Sequence, residues 1–293
     1  MIRNLLFLLI TIITLSNCKG PGALTGNTSN YQKEFEQGNY ATAFLAYKQL
    51  VKKYENKGKN APDSLYVRAG ISALHIDSLS YAKKYLEKVA YKDEVSADVL
   101  SATSKMYRKI DNLSKEIRFL EWYQSNYPDG AEHKELKFRL FDTYVESENV
   151  EGGLKLWNVF SAIEKQEVQL QEAYLKLNNF SGNSSEANKV GREILKSDSK
   201  NIVALEYFAN RYYRKAEDLY VSEMTAYKEN RTNKQYTRLL SALKTATSDF
   251  KKSRDYYQQL FEMTKKSNYA KRLSKIYSRL DNEQKANYYK GFI

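Results

Sequence analysis

The chain has 293 residues and carries 47 Lys and Arg residues against 35 Asp and Glu residues, for a formal net charge of +12. It contains one cysteine, which excludes an intramolecular disulfide and any metal site built from several cysteines. The length exceeds that of one typical domain, yet it suits an elongated array of repeats that is held together by its hydrophobic core.

The N-terminal segment has the layout of an export signal. Arg3 gives it a basic start, and an apolar stretch runs from Leu5 to Leu15, shortly before the single cysteine, Cys18. Such a stretch would reach about 16 Å as a helix, roughly half of the ~30 Å hydrocarbon core, so a permanent membrane span is not expected. The segment resembles the lipobox of bacterial lipoproteins, which implies a signal peptide over residues 1–17 and lipid attachment at Cys18. The alternatives are an ordinary secretory signal and a free thiol without a role.

The residues after Cys18 change from flexible to helical composition. Residues 18–30 contain Gly20-Pro21-Gly22 and little apolar periodicity, which predicts a flexible tether. No proline or glycine lies between Arg192 and Lys290, and that stretch is rich in good helix formers. Because strand-type alternation is not sustained anywhere, the predicted fold class is all-α.

A helical pattern repeats along residues 31–200. Each copy opens with turn-forming residues, continues with a small residue and then places large apolar residues on one helix face. The equivalent positions recur every 34 to 39 residues, the period of helix-turn-helix repeats, and lie at Ala43, Ala82, Glu116, Gly153 and Ala187.

This pattern resembles the tetratricopeptide repeat (TPR) family. Two small residues at helix contacts, two large residues after a turn and one closing proline carry the match: Gly70, Ala82, Tyr40, Leu79 and Pro128. Glu116 and Leu175 depart from it, since the family has alanine and glycine at those positions. The resemblance implies a right-handed, TPR-like solenoid of helical hairpins over residues 31–200. An unrelated bundle of amphipathic helices is the alternative.

Residues 201–293 follow a longer pattern. Apolar residues continue past the length of one repeat helix, which predicts two long antiparallel helices joined near Asn230–Asn233. A final unit with a turn at Asp281-Asn282-Glu283 then closes the array as a capping repeat. A lipoprotein signal, irregular TPR units and a long helical C-terminal part together resemble lipoproteins of the Bacteroidota.

Sequence motifs of catalysis are missing from this chain. There is no nucleophile elbow, no phosphate-binding glycine loop and no cysteine or histidine cluster for a metal. The two histidines, His75 and His133, are isolated and read as ordinary helix residues. We therefore expect a protein that is not an enzyme, with no cofactor, no metal and no small-molecule substrate.

Positive charge is concentrated in the C-terminal part. Residues 201–293 hold 19 basic and 10 acidic residues, whereas residues 19–200 hold 27 and 25. Acidic protein surfaces, anionic lipid or lipopolysaccharide phosphates and acidic glycans are favoured over nucleic acid, because no nucleic-acid module is recognised. A solvated basic surface without a specific ligand is the alternative. Lys251, Lys252 and Arg254 are candidate binding residues there. They lie between Phe250 and Tyr257 along the helix, so we expect that reversing their charge leaves the fold intact.

The TPR resemblance also points to a concave face made by the first helix of each hairpin. That face would present Lys105, Arg108 and Lys109 in the third repeat, and Asp142 and Glu146 in the fourth. These candidate partner-binding residues lack the Lys, Asn and Arg set of carboxylate-clamp repeats, so that ligand is not predicted.

The resemblance implies a lipid-anchored TPR scaffold for protein–protein interactions at the cell envelope. Its expected partners are other envelope proteins and, through the lipid on Cys18, the membrane. Lys19 follows the cysteine in place of the aspartate that retains lipoproteins at the inner membrane, which favours a periplasm-facing position at the outer membrane. The alternatives are an accessory subunit of an outer-membrane protein assembly machine and a lipoprotein that binds glycan or cell wall.

Overall fold

A computed structural model describes residues 28–293. This part of the chain consists of 14 α-helices, one short 3-10 helix at Glu164–Gln166 and no strand, which confirms the predicted all-α class. The predicted signal peptide, Cys18 and most of the predicted tether lie outside the described residues. The helices are α1 Thr28–Glu36, α2 Tyr40–Glu55, α3 Asp63–His75, α4 Leu79–Leu86, α5 Ala97–Lys109, α6 Leu113–Asn126, α7 His133–Glu146, α8 Val150–Val159, α9 Val168–Phe180, α10 Ser184–Ser197, α11 Ile202–Glu229, α12 Asn233–Thr264, α13 Ser267–Arg279 and α14 Glu283–Lys290.

The chain forms two compact units, one ending at Ile110 and the other running from Asp111 to Ile293. Within each unit, aromatic side chains fill the spaces between helices. Fully buried examples are Tyr47, Tyr85 and Tyr107 in the first unit and Phe119, Tyr123, Phe141 and Phe250 in the second. Each unit is therefore held by its own apolar core, as a chain with one cysteine requires.

Six of the turns between helices share one backbone geometry. A residue with a φ of 54° to 77°, in the left-handed region, lies at Gly38, Asp77, Asp111, Glu148, Gly182 and Asp281. After Gly38, Asp77, Glu148 and Asp281 the next residue bonds a carbonyl five residues back, as the N–H of Asn149 does to the oxygen of Tyr144 at 2.8 Å. Oδ1 of Asn149 also accepts from the N–H of Gly152 at 3.0 Å and so caps the following helix. One residue thus closes a helix and opens the next.

The position five residues after each left-handed residue is the one that the sequence predicted to be equivalent between repeats. It is buried in all six copies, at Ala43, Ala82, Glu116, Gly153, Ala187 and Ala286. A matching small residue lies on α3, where a Cβ atom on Gly70 would come within 2.7 Å of Leu86 Cγ on α4. Close helix contact therefore favours small residues at these sites, with Glu116 as the exception, and the predicted repeat register is confirmed.

The two departures from the small-residue pattern have a structural explanation. Glu116 is only 1% exposed, and its Oε1 accepts a hydrogen bond from Nε of Arg139 on α7 at 2.7 Å. A buried carboxylate needs such a cationic partner. Leu175 is buried too and packs in one cluster with Ala187 and Ile194. The side chains of Glu116, paired with Arg139, and of Leu175 thus fill space that the smaller alanine and glycine would leave empty.

The long antiparallel hairpin that the sequence predicted is present. α11 has 28 residues and α12 has 32, or about 42 and 48 Å of helix at ~1.5 Å per residue. Near the turn Gln235 bonds Glu223 at 2.9 Å, and far from it Ser253 bonds the carbonyl of Ala209 at 2.8 Å. Despite this length, no described helix has the apolar composition of a membrane span.

Helix α13 lies along the first half of α11 and runs in the same direction. The hydroxyl of Tyr269 bonds Glu206, and Nε of Arg279 bonds Glu217 at 3.0 Å. Between them, the Arg272 guanidinium lies 4.2 Å from the ring centroid of Tyr213. The first helices of consecutive hairpins therefore pack side by side, and their exposed sides form a shared face.

Candidate partner-binding groove

A groove lies between α9 and α11, the first helices of two consecutive hairpins in the second unit. Asn201 joins them at one end, since its Nδ2 donates to Oε1 of Glu172 at 2.6 Å. The groove has a volume of about 150 Å³. It is lined by Leu175, Lys176, Asn179, Val203, Glu206, Tyr207, Asn210 and Arg214. We refer to it as the α9–α11 groove.

Tyrosines of the neighbouring helices orient the polar groups of the α9–α11 groove. The hydroxyl of Tyr269 donates to the carboxylate of Glu206, and that of Tyr257 donates to Oδ1 of Asn210 at 2.6 Å. Burial is the main cause that raises the pKa of Tyr269, and Glu206 raises it further. Burial likewise raises the pKa of Tyr257. Both hydroxyls therefore remain donors at neutral pH, and Asn210 keeps its amide N–H groups for the groove.

Two cations border the α9–α11 groove. Lys176 and Arg214 are exposed, and neither forms an ion pair with another residue of the described chain. Asn179, which also lines the groove, adds an exposed amide. Cationic and amide donors are suited to carboxylates and backbone carbonyls, so this groove can hold an extended segment with acidic side chains.

The predicted residues of α5 form a basic cluster in the first unit. Lys105 and Arg108 are half-buried, and Lys109 is exposed but ion-paired with Asp77. Burial of the His75 ring is the larger cause of its lowered pKa, and Lys105 and Lys109 lower it further. The structure thus brings both lysines close to His75, with Asp77 neutralising part of the charge.

The predicted residues of α7 lie in the second unit and are tied to its fold. Asp142 is half-buried, and Glu146 is paired with Nη2 of Arg139 at 3.4 Å. Because Arg139 also holds the buried Glu116, Glu146 belongs to an internal charge network. Glu146 is therefore available to a partner only in competition with Arg139.

The three predicted residues of α12 do not form one solvated patch. Lys251 is exposed and has no ion pair with a described residue, whereas Arg254 is half-buried and bonds Asp255 at 2.6 Å. The ammonium of Lys252 lies 3.3 Å from the carboxylate of Asp249, which is 3% exposed. Lys252 therefore compensates a buried charge, as Lys215 also does at 2.8 Å, and the expectation that all three charges can be reversed with the fold intact stays a prediction, in which Lys252 is the residue with the most to lose.

The α9–α11 groove was missed at the sequence level. The groove could have been found from the repeat spacing. The candidate positions on the first helix of the fourth repeat, Asp142 and Glu146, are shifted by one repeat length onto α9 and by a second onto α11. That register selects Lys176 on α9, and Asn210 and Arg214 on α11. The unusual length of α11 concealed the register, because its apolar pattern shows no end where a repeat helix should stop.

A larger and more open hollow, about 440 Å³ in volume, lies beside α8 and is also lined by Glu121 of α6 and Tyr144 of α7. The Tyr144 ring beneath it is buried, and a Cβ atom on Gly152 would lie 2.7 Å from that ring. The Tyr144 hydroxyl is used by Glu121 at 2.5 Å. This hollow therefore presents no tyrosine face on which a sugar could stack. In the described part of the chain, no group of three His, Cys, Asp or Glu residues could hold a metal.

No known protein family and no curated protein matches this sequence. Several solved structures are similar in fold to this chain. A TPR protein from Parabacteroides merdae is 12% identical, with a TM-score of 0.48, over 90% of this chain and 96% of that one. The C-terminal part of a TPR protein from Cytophaga hutchinsonii is 12% identical, with a TM-score of 0.49, over 90% and 93%. A TPR protein from Bacteroides fragilis is 17% identical, with a TM-score of 0.34, over 90% and 96%. The chain is thus similar to TPR proteins of the Bacteroidota.

Proposed function

We propose that this protein is a non-catalytic scaffold that binds other proteins, and that the α9–α11 groove holds an extended acidic segment of a partner. The observation that carries the proposal is the groove itself, which is lined by Lys176 and Arg214 without ion pairs in the described chain, by the Asn210 amide that Tyr257 orients and by the exposed Asn179 amide. A groove that exists before binding reduces the ordering cost of association, because only the partner segment has to be immobilised.

Charge-assisted hydrogen bonds supply specificity in this proposal. One such bond contributes about 1.5 to 3 kcal/mol when it is shielded from water, and less at an exposed rim. Two cations and two amides therefore discriminate between an acidic and a basic segment without giving very tight binding. A scaffold that exchanges partners requires affinity in that range.

We also propose that the scaffold acts at the cell envelope, anchored by lipid at Cys18 and facing the periplasm from the outer membrane. The lipobox-like segment before Cys18 supports this proposal. A single acyl chain binds membranes only marginally, so the several chains of a bacterial lipoprotein are needed for a stable anchor. Incorporation of labelled palmitate into the wild-type protein, but not into Cys18→Ala, tests the anchor in the bacterium.

Site-specific photocrosslinking in the native bacterium tests the groove. A photoreactive amino acid replaces Asn179, which is exposed inside the groove, and the matched control replaces Lys155, which is exposed on α8. We expect the Asn179 position to capture a defined set of envelope proteins that the Lys155 position does not capture. Charge reversal by Lys176→Glu and Arg214→Glu should remove that set.

Identical crosslinked products from both positions would contradict the groove proposal, as would products that persist after charge reversal. The identity of the captured proteins also separates the alternative functions. Components that insert β-barrels would assign the chain to an assembly machine. Capture of cell-wall fragments without protein would favour the glycan-binding alternative.

A further inference from the structure

The long hairpin extends beyond the helix that covers it. Along α11, the residues that contact α13 follow one row at helical spacing, ending with Glu217 and Tyr220. Arg279, the last residue of α13, bonds Glu217 and lies 4.3 Å from the ring centroid of Tyr220. Since α11 runs on to Glu229, about three turns of the hairpin lie past the end of α13.

The row of contact residues continues into this uncovered part, where it is apolar. On α11 the next residues at spacings of three and four are Met224 and Tyr227, and Val221 lies beside them. On α12 the row that passes Arg254 and Gln258 leads back at the same spacings to Leu243, Leu240 and Tyr236. We call these six residues the distal groove: Val221, Met224, Tyr227, Tyr236, Leu240 and Leu243.

The distal groove is open to solvent. Val221 and Tyr236 are 48% exposed and Leu240 is 49% exposed, while Met224, Tyr227 and Leu243 are partly buried. Tyr227 and Tyr236 face each other across the two helices with ring centroids 5.6 Å apart. Scattered apolar side chains are common on protein surfaces, but a continuous row between two helices is a binding feature.

Positive charge predominates around the distal groove, where the segment 221–244 holds Lys228, Arg231, Lys234, Arg238 and Lys244 against Glu223 and Glu229. Arg231, Lys234 and Lys244 are exposed and form no ion pair with any described residue. The carboxylate of Glu223 is already used by Gln235 at 2.9 Å and by Arg238 at 3.5 Å. A second copy of this chain would bring the same positive charges together, so self-association is disfavoured. An acidic partner is favoured by the same argument.

The shape of the distal groove selects a helix. Its apolar residues lie along the flank of two antiparallel helices, over about 9 to 10 Å, rather than at the polar tip that Asn230–Thr232 form. A channel of that form accepts the apolar stripe of an amphipathic helix, in line with the end of α13. A flat membrane surface would instead meet the tip.

We propose that the distal groove binds a short amphipathic helix of another protein, apolar along one face and lined by Asp and Glu on the borders of that face. Two to three helical turns of the partner cover the six residues. This surface is separate from the α9–α11 groove and does not depend on the function proposed for it.

Selection from a displayed library of helical peptides tests the proposal with the full chain as bait. The variant Val221→Gln/Leu240→Gln removes the exposed apolar groups, and Val159→Gln/Ile163→Gln removes two exposed apolar groups elsewhere in the same unit. We expect enriched peptides to carry apolar residues at spacings of three, four and seven with acidic neighbours. They should bind Val221→Gln/Leu240→Gln at least tenfold more weakly, and the control like wild type.

Several results would overturn the proposal. One is enrichment of peptides without the acidic amphipathic pattern, or the absence of enrichment altogether. Another is equal binding by the two double variants when both unfold at the wild-type temperature. Sedimentation that reveals a dimer lost in Val221→Gln/Leu240→Gln would assign the surface to a second copy. Binding to vesicles of anionic lipid, lost in the same variant, would assign it to a membrane.

Discussion

Two neighbouring hairpins in the second unit, α9–α10 and α11–α12, differ in length and in how they turn. The short hairpin reverses direction through Gly182 at a φ of +74°, followed by the capping residue Asn183. The long hairpin reverses through Asn230–Thr232, where no residue has a positive φ, and Thr232 caps α12 through its side chain. The turn of the short hairpin defines where α9 ends and α10 begins, whereas the long hairpin has no left-handed residue near the repeat boundary.

The difference shows which features limit helix length in this chain. In the short hairpins, a left-handed residue and a buried contact residue five positions later, small in all but the copy with Glu116, set the register together. In the long hairpin, α11 packs on its neighbours as a repeat helix would and then continues for about two and a half turns beyond Tyr220. The absence of a left-handed turn residue near the repeat boundary therefore accompanies the greater length of this hairpin.

The largest expected effect concerns the small contact of a short hairpin. Ala82 is fully buried, so Ala82→Trp should destabilise the protein by about 1 to 3 kcal/mol or more, because the helices cannot separate to admit the ring. Lys84→Ala, two residues away, removes an exposed pair with Glu55 and should cost no more than about 0.5 kcal/mol. Urea unfolding measures both values. Equal stability of the two variants would contradict the repeat register.

The short-hairpin fold could be predicted from sequence because its signals are local. Turn residues, small residues and apolar spacing all occur within one repeat length, and all describe the same hairpin. Glu116 could not be interpreted that way, since its partner Arg139 lies on the next helix and only the fold brings them together. The repeat pattern therefore predicted the position of Glu116 but not its chemistry.

The candidate sites were harder to predict for the same reason. Lys251, Lys252 and Arg254 are adjacent in sequence and look alike, yet they differ in what lies beside them. Asp249 is buried against α11, where Lys215 approaches it to 2.8 Å, and Lys252 lies on its other side. Burial of a carboxylate on a lysine-rich helix leaves no sequence signal, so the structural role of Lys252 was visible only in the fold.

Lys252 gives the matching test in the long hairpin. Lys252→Glu places a second carboxylate beside the buried Asp249 and should destabilise the protein by about 1 kcal/mol, a modest value because the lysine itself is half-exposed. Lys251→Glu makes the same charge change one residue away, without a buried partner, and should stay within about 0.5 kcal/mol. Thermal unfolding at low salt compares them. Similar losses would mean that net charge, rather than Asp249, controls the stability of this hairpin.

The smallest expected effect is a change in stability that distinguishes the left-handed turns of the short hairpins from the turn of the long hairpin. Glu148 holds a φ of 54° at the turn between α7 and α8, which costs a residue with a Cβ atom roughly 1 to 2 kcal/mol relative to glycine. Glycine loses more conformational freedom on folding, by about 0.5 to 1 kcal/mol, so Glu148→Gly should be stabilising by about 0.5 kcal/mol.

Arg231→Gly makes the same kind of change in the turn of the long hairpin. Because Arg231 is not at a positive φ, glycine relieves no strain there and adds only its entropic cost. The variant should therefore be less stable than wild type by up to about 1 kcal/mol. Opposite signs in differential scanning calorimetry would establish that left-handed turns stabilise the short hairpins and are dispensable in the long one. The same sign for both variants would mean that the two turns are equivalent, and the length of the long hairpin would then have to be explained by its helix contacts alone.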